Sequence, residues 1–161
     1  MIVETFDEFC AKHGEYLDLS DGWRIFADGA AARYDGFGRL TARREVPSDP
    51  IELLRVQRVF ISTKLEREQS DFRGYRNAVR EQANNAIRHP QACPPPRADA
   101  AAQLKRGQAR CRALQQQLKV IDELLAQAPL AAARRQQGHE ETERRKQLTA
   151  QLHEVEGLNA D

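Results

Sequence analysis

Residues 104–125, LKRGQARCRALQQQLKVIDELL, decide the predicted fold. Apolar side chains recur there at seven-residue intervals in two registers. This spacing places them along one side of a helix, as in a coiled coil. We therefore predict a helix over about 99–127 whose apolar seam binds another helix. The predicted partner-binding seam consists of Leu104, Cys111, Leu114, Leu118, Ile121 and Leu125.

The chain after this seam predicts a fourth helix that folds back on the third. Pro129 suits the first position of a helix, and the connection over 126–129 is short. Short connections make consecutive helices antiparallel neighbours, so we expect a hairpin over about 99–157. The returning helix is apolar only at its two ends, however, and 134–147 is almost entirely polar. The returning helix therefore cannot cover the seam along its full length. We expect the hairpin to pack against the preceding helix or against a partner.

Another long helix is predicted upstream, over about 49–88. Asp49 is a suitable N-cap, and Pro50 suits the first helical position. The Pro-rich segment 89–98 ends the helix, because proline lacks the backbone N–H and displaces the residue before it from helical geometry. Its apolar stripe advances in steps of three, four and seven residues and consists of Leu54, Ile61, Leu65, Phe72, Tyr75, Val79, Ala83 and Ala86.

The N-terminal region has a different character. Thr5 and Glu8 form a capping-box pattern for a short helix, and Gly14 is placed to end it. Three Asp-Gly pairs follow within residues 21–36, and Asp-Gly is typical of tight hairpin turns. They predict a small antiparallel β-meander over about 15–45 that packs on the helices, because short hairpins alone are marginally stable in water.

The predicted fold class is therefore mainly α. Three long helices form a helical bundle with an antiparallel, coiled-coil-like hairpin, and a small N-terminal helix and β-meander pack on it. We predict a small α+β cap over residues 1–47 and a helical region over 48–161, joined at the Pro-Ser-Asp-Pro boundary.

Composition agrees with long solvated helices. Of the 161 residues, 30% are charged and only 6% are aromatic, and the mean hydropathy is −0.71. The three cysteines are odd in number and far apart, which argues against a disulfide framework. Neither a secretory signal nor an apolar run of about 18 residues is present, so we expect a cytoplasmic protein without membrane contact.

No residue is predicted to be catalytic from the sequence. No nucleophile stands beside a base in a recognisable motif, and no Gly-rich stretch continues into the Lys-Ser/Thr of a phosphate-binding loop. Among the cysteines and histidines, Cys10 and His13 form the closest pair, three residues apart, and one pair does not make a site. We expect no enzyme activity, cofactor, metal or small-molecule substrate.

One end of the helical region is predicted to be basic. The last turns of the second helix and the first turns of the third meet there if the two are antiparallel, and a basic surface can bind nucleic-acid phosphates. Ordinary helix solvation and an Arg-rich genome are the competing explanations. We see no aromatic side chains interleaved there and expect no base stacking. The basic residues are Arg76, Arg80, Arg88, Arg97, Lys105, Arg106 and Arg110.

Two functions follow as hypotheses. The first is a non-catalytic structural or interaction protein, a helical adaptor completed by self-association or by a larger protein partner. The second is a nucleic-acid-associated accessory factor that binds the phosphate backbone through the basic end. The half-apolar fourth helix motivates the first hypothesis, and the clustered arginines motivate the second.

Overall fold

The computed structural model describes residues 4–158, with side chains described as far as residue 155. The chain is mostly helical, with one small sheet near its start. The elements in chain order are α1 (Phe6–His13), β1 (Tyr16–Asp18), β2 (Trp23–Phe26), β3 (Ala31–Tyr34), β4 (Leu40–Arg44), α2 (Pro50–Arg88) and α3 (Ala100–Leu158).

The sheet is an antiparallel meander in the order β1-β2-β3-β4, which confirms the predicted meander. Gly22 and Gly29 turn the chain between strands with φ of 82° and 99°, angles that a side chain would strain. At the third turn the positive φ, 77°, falls on Gly38 rather than on the Asp-Gly glycine at position 36. The Asp-Gly pairs therefore locate all three turns, but only the first two take the left-handed angle at that glycine.

Helices cover both faces of the sheet. Successive strand residues point to opposite sides, so Phe26 packs with Phe9 of α1, while Ile25 packs with Phe60 of α2. Ala30, Ala31 and Ala32 are all buried at this point. Small side chains are accommodated here because both faces of the strand lie against other elements.

Local signals at the helix ends are confirmed. The Thr5 hydroxyl accepts the backbone N–H of Glu8, and the Glu8 carboxylate accepts the Thr5 N–H at 2.7 Å, which completes the capping box. The Asp49 carboxylate caps α2 by accepting the Glu52 N–H, and Pro50 occupies the first helical position.

α2 and the first part of α3 run antiparallel. Two ion pairs show the direction. Arg58, early in α2, pairs with Asp122 of α3 (2.6 Å), whereas Glu68, further along α2, pairs with Arg110, which comes earlier in α3 (3.2 Å). Between these pairs, Leu65 packs against Cys111 and other apolar residues of α3. The hairpin in this chain is therefore formed by α2 and α3 around the Pro-rich linker.

The predicted fourth helix is wrong. α3 continues from Ala100 to Leu158 with Pro129 inside it, so residues 4–158 contain two long helices rather than three, with no turn over 126–129. An interior proline removes one hydrogen bond and costs about 3 kcal/mol. The flanking residues nevertheless favour the helix: Leu and Ala predominate from position 124 to 133, and no glycine is available there to end it.

The chain divides into two compact units, the first ending at Asp122 and the second beginning at Glu123. The first unit contains α1, the sheet, α2 and the start of α3. The second contains the rest of α3 as a single helix. The cap proposed for residues 1–47 shares a core cluster with α2 through Phe60, and the boundary between residues 47 and 48 stays a prediction.

Candidate interaction surfaces

The predicted seam of α3 lies largely against α2. Cys111 and Leu114 are 8% and 7% exposed and share a core cluster with Leu65, and Leu118 packs at its edge. The remaining members, Leu104, Ile121 and Leu125, are half-buried. In this chain α2 occupies the centre of the seam, and binding of a separate partner there stays a prediction.

A groove opens beside that seam, between α2, α3 and the loop residues Glu15 and Ala27. Phe60, Leu114 and Val120 contribute apolar walls, and an ion pair of Lys64 with Glu15 (2.6 Å) lies at its edge. Its volume is about 550 Å³. The full lining is Glu15, Ala27, Gln57, Phe60, Ile61, Lys64, Leu114, Gln116, Gln117, Val120 and Ile121.

A second groove, called here the hairpin groove, lies nearer the linker. α2 and α3 approach closely at its floor, because Gly107 has no side chain and the ring of Phe72 fills the space. Its volume is about 340 Å³. It is lined by Asp71, Phe72, Tyr75, Arg97, Asp99, Gln103, Gly107 and Arg110.

The basic residues predicted as one surface divide into separate groups. Arg97 and Arg110 line the hairpin groove, whereas Arg80 and Arg88 flank a shallow polar depression on α2. The Arg76 guanidinium lies 5.9 Å from the centre of the Phe72 ring. The two others, Lys105 and Arg106, are exposed on the early turns of α3.

Two of these arginines are partly neutralised. Arg110 pairs with Glu68 at 3.2 Å, and Arg97 pairs with Asp99 at 3.4 Å. The surroundings remain strongly basic, because residues 73–119 contain ten Lys and Arg but only two acids, Glu81 and Asp99. The segment 73–119 therefore has a net charge of +8 in a chain whose total is +1.

The expectation that no aromatic residue interleaves with the basic end is wrong. Tyr75 lines the hairpin groove together with Arg97 and Arg110 and is 39% exposed. In the sequence it belongs to the apolar stripe of α2, every other member of which is buried or half-buried. Helical spacing alone could not separate Tyr75 from the core residues, because only the α3 residues opposite it decide whether it is covered.

The second unit exposes apolar side chains. Leu130, Leu148, Leu152 and Val155 are each more than half exposed. Around them lie ion pairs within one helix, such as Arg145 with Glu141 at 3.0 Å. Large exposed apolar groups on a helix are typical of a surface that a partner covers.

Among the residues that the structure describes, no group of three or more His, Cys, Asp or Glu could hold a metal ion. The His13 imidazole is buried between Phe9 and Phe26, and its Nδ1 lies 2.6 Å from Asp28. Burial raises the pKa of the Cys10 thiol, which disfavours the reactive thiolate. No helix in the described part of the chain combines the length and apolar character needed to cross a membrane.

Comparison with known proteins finds no matching family model, no matching curated relative and no matching solved structure.

Proposed function

We propose that this protein is a non-catalytic assembly component, a helical adaptor that pairs with a second copy of itself through the second unit. The observation that carries the proposal is the exposure of Leu148, Leu152 and Val155, at 57%, 58% and 56%. They are spaced by four and three residues, which puts them on one side of α3. Covering such a stripe removes apolar surface from water and contributes about 25 cal/mol per Å².

The charge and spacing pattern favours a second copy as the occupant. Steps of four and three residues along this side of the helix form a palindrome centred on Gly138. An antiparallel two-fold pairing about Gly138 sets Leu124 opposite Leu152 and Arg135 opposite Glu141. The same patch then serves both copies, as a two-fold interface requires. The palindrome consists of Leu124, Ala128, Ala131, Arg135, Gly138, Glu141, Arg145, Leu148 and Leu152.

Gly138 also suits the centre of such a pair. A Cβ there would meet no described atom within 4 Å, so the surface beside Gly138 is open. Glycine in a helix interior costs up to about 1 kcal/mol relative to alanine, and a close approach of two backbones is one use that offsets the cost.

Sedimentation of the full chain over a wide range of protein concentration tests the pairing. We expect the wild-type chain to be a dimer, and the double substitution Leu148→Glu with Leu152→Glu should convert it to a monomer. Far-UV circular dichroism should show that the variant remains folded and helical. The matched control, Gln147→Glu with Gln151→Glu, adds the same charge one position earlier, about 100° around the helix axis from each leucine, and should remain dimeric. A wild-type chain that stays monomeric at every concentration overturns the proposal.

Disulfide mapping tests the direction of pairing. Mixing Leu124→Cys and Leu152→Cys variants under mild oxidation should yield a disulfide between the two different chains, identified by peptide mass. A parallel pair would instead link Leu152→Cys to itself, and that result would exclude the antiparallel arrangement.

We propose phosphate-backbone binding by the basic hairpin as a second candidate function, because ten basic residues stand against two acids over 73–119. Binding to a generic nucleic acid should weaken steeply between about 50 and about 200 mM salt. Arg80→Glu with Arg106→Glu should abolish it, and Arg39→Glu with Arg144→Glu should change it little. No binding at the lower salt concentration would remove this candidate.

A further inference from the structure

The hairpin groove combines an exposed aromatic ring with two arginines and two aspartates, and most of its lining belongs to the basic segment 73–119. Tyr75 is accessible at 39%, and Arg97 and Arg110 stand beside it. Exposed aromatic rings in a basic channel are the usual platform on which proteins stack the bases of single strands. From this arrangement we infer that the groove binds a base of single-stranded nucleic acid, an inference that rests on the second candidate function.

The opening of the groove has a structural cause. α3 presents Gly107 and the polar Gln103 toward this part of α2, so no bulky apolar side chain covers Tyr75. Phe72, one turn earlier, lies over Gly107 instead and forms the floor. A volume of about 340 Å³ falls at the lower end of the usual range for small-molecule sites, roughly 300–1,000 Å³, and it is adequate for a single nucleotide.

The charges indicate which part of the nucleic acid enters. Two carboxylates, Asp71 and Asp99, lie in the lining, and Arg97 pairs with Asp99 at 3.4 Å. Carboxylates repel phosphate but accept hydrogen bonds from base N–H groups. The base therefore lies inside the groove, and the phosphates contact the cations outside it, such as Arg76 and Arg106.

A duplex cannot use this site. Its bases are stacked on one another and paired, so the ring of Tyr75 has no free base to contact. Duplex binding would depend on the net charge of the hairpin alone. Tyr75 is therefore the side chain that distinguishes single strands from duplexes.

Fluorescence anisotropy with a labelled mixed-sequence DNA oligonucleotide, the same oligonucleotide as a duplex, and an abasic oligonucleotide of equal length tests this inference. Tyr75→Ala should weaken single-strand binding about tenfold, the loss that corresponds to one stacked base. It should leave duplex and abasic binding within about twofold. Tyr75→Phe keeps the ring and should retain the wild-type affinity, and circular dichroism checks that each variant is folded.

The possible failures are distinguishable. If wild-type protein binds none of the three probes at low salt, the second candidate function fails together with the stacking site. Equal binding of all three, unchanged by Tyr75→Ala, overturns only the stacking site and leaves a phosphate-binding surface. Equal competition by polyglutamate with no effect of Tyr75→Ala would show a general polyanion surface, and this also overturns the inference.

Discussion

Gly107 of α3 lies directly against the ring of Phe72 of α2: a Cβ at Gly107 would stand 3.1 Å from Cδ2 of that ring. This distance is shorter than ordinary van der Waals contact. The ring of Phe72 therefore packs in the space that a side chain at position 107 would occupy. The hairpin groove opens next to this contact.

Enlarging Gly107 should destabilise the protein. Gly107→Leu forces Phe72 to move, and such overpacking costs about 1–3 kcal/mol, reduced by the better helix propensity of leucine. Gly74→Ala is the matched control, because a Cβ there meets no described atom within 4 Å. The control should raise the free energy of unfolding by up to about 1 kcal/mol. Urea denaturation measures both, and equal stabilisation by the two changes would contradict the close contact.

The Arg24 guanidinium should stabilise the N-terminal sheet. It lies 4.0 Å from the centre of the Phe6 ring and 4.9 Å from that of Tyr16, and its Nε pairs with Asp18. Arg24→Met should lower the free energy of unfolding by about 1–2 kcal/mol, because the cation–π contacts are partly desolvated.

Arg39 provides the control for this effect. Its guanidinium lies 5.2 Å from the centre of the Phe37 ring, but that ring is 82% exposed. Arg39→Met should therefore change the stability by less than about 0.5 kcal/mol in the same thermal or urea titration. A larger loss from Arg39→Met than from Arg24→Met would refute the assignment.

Tyr34 should make stability fall at alkaline pH. Burial is the main cause that raises its pKa from the ordinary value of 10.0 to about 12. The folded state therefore holds the phenolic proton more tightly than the unfolded state does, and unfolding becomes easier as pH rises from about 10 to about 12. Tyr34→Phe should reduce this dependence, as measured by urea denaturation at a series of alkaline pH values.

The same substitution has a second expected effect at neutral pH. The Tyr34 hydroxyl is buried without a hydrogen-bond partner among the residues that the structure describes. Removing it should raise the free energy of unfolding by about 1 kcal/mol, since an unsatisfied buried polar group is costly. A clear loss of stability in Tyr34→Phe would show that the hydroxyl has a partner.

Asp28 should matter more than the other turn aspartates. One of its carboxylate oxygens accepts the Ala30 N–H at 2.9 Å, and the other lies 2.6 Å from Nδ1 of the buried His13. Asp28→Ala should cost about 2–3 kcal/mol, because it leaves the imidazole without its partner. Asp21→Ala removes a similar turn bond to Trp23 but no buried partner, and it should cost about 1 kcal/mol. Equal losses in thermal denaturation would argue against the importance of His13.

The N-terminal region shows how far local signals reach. The capping box of Thr5 and Glu8 and the opposite facing of Ile25 and Phe26 were predictable, because each depends on residues within a few positions. The strand β1 was not predicted separately, since Tyr16–Asp18 is too short to show alternation by itself. Its pairing with β2 defines it.

The candidate sites show where the sequence is insufficient. The basic residues could be identified in the sequence from their types. The grooves that separate them could not be predicted, because a groove depends on which side chains two distant segments bring together. Tyr75 is the clearest case: its spacing matches that of Phe72, yet Phe72 lies over Gly107 and Tyr75 remains open beside Gln103.

The seam of residues 104–125 shows both what the sequence determined and what depended on tertiary structure. The sequence by itself determined that these residues are helical and that one side of the helix is apolar, because periodicity and helix propensity act within a few turns. Only the tertiary structure decided that α2 covers the centre of that side, at Cys111 and Leu114. The structure also corrected the predicted helix end, because α3 continues through Pro129. The reason is that which apolar surface covers another depends on contacts between residues far apart in the chain, and the periodicity of a single helix carries no information about those contacts.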